Sequence, residues 1–289
     1  MTILPYLPQA LALTAAFLFA TSNHFQSVGL PGADKQSALL VNISTGALVY
    51  LIFAPLYLEW SYFETRAALL FALVGVFRPP LSMTFSYLAI VRMGPTLASA
   101  FAATVPMFSA AFAIVLLGET MTTPVAIGTA LIVAGAVVAA LKPASLKRDW
   151  PIWAIGLPLT TAAIRAGAHA VTKLGLEELP DAIFASMVGY TVGALIIGGL
   201  FAIRRHRFSG SVRSLRWFAA AGVTSSVGIF CLNTALKYGT VLTVAPMVAV
   251  APVFALLLSL FVFKKETITL RTAGAIALVV PGVVLLILR

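Results

Sequence analysis

The sequence predicts an all-α integral membrane protein: ten transmembrane helices as two inverted five-helix repeats. Three observations predict it. Of 289 residues, 61% are hydrophobic and only 10% charged, with a mean hydropathy of +1.03, whereas a soluble domain needs about 25% charged residues. Ten mostly apolar runs follow one another, each near the ~20 residues that a helix needs to cross a bilayer. The chain also matches itself at an almost constant offset.

The runs cover 7–28, 37–58, 67–91, 96–117, 123–141, 151–174, 182–203, 217–236, 241–263 and 269–288. The first is expected to be a retained span, because Met1 to Ala20 contains no Lys or Arg and so lacks the charged leader of a signal peptide. The third contains Arg78-Pro79-Pro80. A residue before proline is pushed from helical geometry while prolines suit a first helical turn, so a kink or break is expected there. The fifth opens on Thr122-Thr123-Pro124, an N-cap followed by proline. In the seventh, Gly189 and Gly193 have the spacing of close helix packing. The lone Cys231 in the eighth supports neither a disulfide framework nor a zinc site and reads as a packed thiol. The longest connection, 204–216, is a basic loop with no room for a soluble domain.

Gly46-Ala47-Leu48 recurs as Gly193-Ala194-Leu195, Gly94 as Gly239, Pro106 as Pro252, Glu119 as Glu266, Gly128 as Gly274 and Gly135 as Gly282, at offsets of 145 to 147. The units are 1–145 and 146–289, five runs each. An odd number of crossings makes the second unit enter the membrane from the opposite side. Inverted pairs build alternating-access carriers with a site near the midplane.

Positive loops remain in the cytoplasm. The connections after the odd-numbered runs hold Lys35, Arg92, Lys142, Lys147, Arg148, Arg204, Arg205, Arg207, Arg213, Arg216, Lys264, Lys265 and Arg271. The other face holds Arg66, Lys173, Lys237 and Arg289, with most of the acids. The chain is therefore expected in the inner (plasma) membrane with both termini outside. The net charge of +10 is a topology signal; no nucleic-acid motif accompanies it, and no nucleic-acid partner is expected.

Gly94-Pro95-Thr96 to Pro106, then Leu116-Leu117-Gly118-Glu119, then Gly128 to Gly135, resembles the EamA-type repeat of the drug/metabolite transporter superfamily. A second copy is similar through Ala235-Leu236-Lys237-Tyr238-Gly239, Pro246, Pro252, Glu266, Gly274 and Gly282. The resemblance covers nearly the whole chain. It implies a ten-helix inverted-repeat carrier, usually an exporter of amino acids or other small metabolites, with a cavity lined by both halves. Many relatives keep both termini in the cytoplasm, and the charge distribution here departs from that.

Candidate substrate-binding residues follow from cost, since an ionisable group deep in hydrocarbon costs at least about 2.5 kcal/mol and normally faces a cavity or a partner. Arg78 is at least about 16 Å from either end of its run. Beside a half-helix N-terminus its guanidinium would hold a carboxylate bidentately; alternatively it bonds carbonyls freed by the kink. Arg165 shares a helical stripe with His169 and Lys173, and either meets substrate or snorkels. His24, beside Asn23, stands at the repeat position of His169. The two histidines either line the cavity and couple protons or form interhelical hydrogen bonds. Asn42 and Asn233 are weaker candidates on the same grounds.

The nine acids all fall at loops or run ends, which disfavours drug extrusion driven by a buried carboxylate. HExxH, GxSxG and P-loop patterns are missing, so neither an enzyme nor a cofactor is expected. The expected function is secondary transport, mainly export, of a small anionic or zwitterionic metabolite bearing a carboxylate. The alternatives are a flippase or carrier for an anionic lipid-linked substrate and a non-transporting intramembrane enzyme or receptor.

Overall fold

The computed structural model describes residues 6–140, 151–262 and 269–288. The 145/146 junction and Lys142, Lys147, Arg148, Lys264, Lys265, Glu266 and Arg289 lie outside the described residues. The described residues form α1 Leu7–Gly29, α2 Lys35–Tyr57, α3 Arg66–Val76, α4 Ser82–Ala102, α5 Val105–Leu117, α6 Thr123–Ala140, α7 Gly156–Glu178, α8 Ala182–Ile203, α9 Val212–Tyr238, α10 Val241–Val248, α11 Ala251–Phe261 and α12 Leu270–Ile287, with no strand among them. Side-chain oxygens of Asp34, Thr65, Asp181, Ser211 and Thr269 accept backbone N–H bonds at the starts of α2, α3, α8, α9 and α12, filling the donors that a helix start leaves unpaired.

Among the described residues, six stretches are long and apolar enough to cross a membrane: Lys35–Leu56, Leu97–Leu117, Thr123–Ala140, Ala182–Ile203, Val212–Tyr238 and Val241–Phe261. Large apolar side chains point outward; Leu69, Val115, Leu195 and Ile203 are each at least 70% exposed. A surface of that kind is solvated by lipid. Cys231 is buried and free, the packed thiol expected of it.

The packing repeats when the halves are exchanged: α1 lies along α9 as α7 lies along α3 and α4, and α2 contacts α9 as α8 contacts α3. The helices α2 and α8, and α6 and α12, pair directly. A Cβ on Gly128 would lie 2.9 Å from the Gly282 carbonyl oxygen, and one on Gly282 would lie 2.8 Å from that of Gly128. One on Gly135 would meet the Ala275 carbonyl oxygen at 2.9 Å. The α6 and α12 backbones therefore touch, running antiparallel, as small residues allow.

The connections sort onto two ends. At one, the Ser211 N–H donates to Gly32 O at 2.8 Å, and Arg92 stacks over Trp153 at 5.1 Å. This end carries the described basic loops. At the other, Pro8 packs under Gly239, Leu286 packs under Gly128, and Glu119 reaches the start of α10.

The interruption expected at Arg78 takes another form. Prolines 79 and 80 remove two donors, and the helix absorbs the loss by widening into a π turn, Phe77–Leu81, before continuing as α4. The Ser82 hydroxyl donates to Arg78 O, and Thr84 Oγ1 donates to Pro80 O at 2.8 Å. No new helix N-terminus opens beside Arg78. The breaks lie instead inside two runs expected to be continuous, at Ala103–Thr104 between α4 and α5 and at Ala249–Val250 between α10 and α11. Each precedes a proline in the next first turn, Pro106 or Pro252. Within α4 the third and fourth runs meet at Gly94, whose φ of 82° and ψ of 160° suit glycine.

Candidate functional site

A cavity of about 1120 Å³ lies between the halves. It extends from Phe71 and Ala245 to Gln26, Ile90, Ala139 and Ser259, the last four near helix ends on the basic side. Both helix breaks reach its wall, through Ala103 and Val105 and through Ala249 and Ala251.

The structure brings Asn23, His24, Arg78, Arg165, His169 and Asn233 to this one cavity. Arg78 comes from the π turn and Arg165 from the middle of α7; neither guanidinium has a hydrogen bond or ion pair among the described residues. Both arginines share the cavity wall with His169. His169 is buried, with Nδ1 3.4 Å from Ser109 Oγ. His24 Nε2 donates to the Ala255 carbonyl at 2.8 Å, linking α1 to α11. Asn233 donates to Ser186 Oγ at 2.9 Å. Asn23 is exposed. Lys173, read into the same stripe as Arg165, departs from it: its Nζ donates to Leu236 O at 3.0 Å and lies 3.9 Å from Glu177.

Sequence reasoning missed Tyr190. Its ring meets that of Tyr50 at 5.6 Å, its hydroxyl donates to Ser225 Oγ at 3.2 Å, and it lines the same cavity as Arg78. A single tyrosine beside Gly189 reads as packing, and no spacing marks it. Asn42 also lines the cavity, its buried Nδ2 without a hydrogen-bond partner among the described residues.

The far end is shut by carboxylates on helix starts of the opposite half. Glu119 accepts from the Val241 and Leu242 N–H groups at 2.8 and 2.9 Å, and Glu178 accepts from the Ala67 N–H at 3.2 Å. Negative charge is favourable at these dipole ends.

The fold and cavity define a multi-pass helical membrane protein with a chamber between two repeats whose largely apolar wall carries a few polar and charged side chains. The model of the EamA-like transporter family matches residues 7–141 and again 152–288. The chain belongs to that family, within the drug/metabolite transporter superfamily, and membership makes it a membrane transporter. A solved crystal structure is 18% identical, with a TM-score of 0.77 over 96% of this chain and 95% of its own, a likeness of fold. No curated protein matches the chain significantly.

Proposed function

We propose that the chain is a secondary transporter that exports a small carboxylate-bearing metabolite, an amino or organic acid, across the inner (plasma) membrane by alternating access. The observation that carries this reading is the pair of guanidiniums, Arg78 and Arg165, on the wall of one cavity between the repeats, with no hydrogen bond or ion pair among the described residues. Cations held deep within a membrane span without protein partners are expensive, and an arriving carboxylate supplies the missing acceptors.

The chain crosses ten times in this reading, as inverted units 1–145 and 146–289, with both termini outside. The antiparallel contact of α6 with α12 supports the inversion. The cavity extends to the basic end, which is the cytoplasmic end in this reading by the positive-inside rule.

The test is a metabolite efflux screen of overexpressing cells, followed by transport of the substrate found in proteoliposomes. Arg78→Ala should abolish transport while the protein remains inserted, with an affinity loss of about 2 to 5 kcal/mol. Unchanged affinity with a lower melting temperature removes Arg78 from the site.

A further inference from the structure

The balance of charge around the cavity narrows the substrate beyond "carboxylate-bearing". Its wall contains two arginines and two histidines but neither Asp nor Glu among the described residues. The described acids are occupied elsewhere or face solvent: Asp34 bonds His206, Glu119 and Glu178 hold helix starts, Asp181 caps α8, Glu177 lies beside Lys173, and Glu59 and Glu64 flank an exposed loop.

A zwitterion bound here would leave its ammonium group facing cations, with no carboxylate to receive it. A monoanion would satisfy one guanidinium and leave the other buried and unpaired. We infer that the cavity selects a dianion, a ligand that offers two negative charges within reach of both Arg78 and Arg165, as a dicarboxylate or a phosphate monoester does. Arg78 comes from the first half and Arg165 from the second, and both line one cavity, so a dianion held by both ties the repeats together. Hydrogen-bonding neighbours suit oxyanions: the Asn42 Nδ2 donor stands on the same wall without a partner among the described residues. This inference rests on the proposal that the cavity is the substrate site.

The experiment measures binding of paired probes to the purified full chain by intrinsic tryptophan fluorescence and thermal shift at pH 7.5. The probes are succinate against monomethyl succinate, glycerol 3-phosphate against its methyl ester, and alanine as the zwitterion. Removing one charge should weaken binding about thirtyfold or more, and alanine should bind weakest. Preference confined to one dianion of the two identifies which source the site accepts and supports the inference.

Arg165→Gln, checked for folding by size exclusion, should lose the preference, so that a dianion and its methyl ester bind alike. Arg78→Gln should do the same. Equal binding of monoanions and dianions to the unmodified chain overturns the inference and leaves the anion-transport reading intact. Binding of alanine in preference to every anion also overturns it. Failure of every probe to bind overturns both. A dianion preference that survives both substitutions removes the arginines as its cause and overturns the inference.

Discussion

Glu119 should hold the end of the transporter opposite the cavity mouth closed, and Glu119→Gln tests this at its smallest perturbation. Its two oxygens take the Val241 and Leu242 N–H groups at the start of α10, across the boundary between halves. Hydrogen bonds to a charged group contribute about 1.5–3 kcal/mol each. Glutamine keeps one acceptor, loses the second bond and loses the charge facing the helix dipole, for a net cost of about 1–2 kcal/mol at this half-buried position. If the cost falls on the closed arrangement alone, the population open at that end rises by a factor of about 5 to 30.

Ala235, fully buried near the end of α9 and off the cavity wall, reports the change. A cysteine introduced at Ala235, with Cys231→Ser as background, should react with a maleimide faster by that factor when Glu119→Gln is added. Asp181→Ala is the control. It removes a cap within one half, where Asp181 accepts from the Phe184 N–H at 2.7 Å, and should lower the melting temperature without speeding the labelling. Equal labelling with and without Glu119→Gln refutes the reasoning and leaves Glu119 as an ordinary helix cap.

Three further outcomes are expected. A membrane-impermeant thiol reagent applied to intact cells should label a cysteine introduced at Thr122 but not one at Ser209, and the reverse pattern inverts the orientation. Gly128→Ala should destabilise the chain by about 1–3 kcal/mol, because the new methyl group meets the Gly282 backbone rather than a movable side chain; an unchanged melting temperature contradicts the close α6 to α12 contact. Burial works against ionisation of the Asp34 carboxyl, but hydrogen bonds from Ser37, His206 and the Gln36 N–H outweigh it and hold the group down at about 2. A folded-state value below the unfolded one stabilises fully above about pH 4 and is lost as pH falls through about 2. The melting-temperature gap between the unmodified chain and Asp34→Ala should therefore shrink from pH 5 to pH 2, and a constant gap assigns the effect to packing.

What could be read from the residues alone divides along a physical line. Arg78, Arg165, His24 and His169 stood out because lipid makes each expensive, and expense has no regard for the rest of the fold. The structure gathers them at one cavity, with Asn23 and Asn233 beside them. Tyr190 carried no such mark, since an aromatic ring buries cheaply and its hydroxyl needs only one partner, here Ser225. Glu119 looked like a loop charge, because its role depends on which helix start lies opposite it, a fact of tertiary structure. The prolines were visible but their consequences were not. Pro79 and Pro80 gave a π turn within a continuing helix, whereas Pro106 and Pro252 stand just after breaks. A proline removes a donor wherever it stands; whether the helix widens or breaks depends on what the surroundings offer the carbonyls left behind. Both complete breaks face the cavity, where irregular backbone has a polar neighbour, so the cavity that holds the arginines also allows the helices around it to be discontinuous.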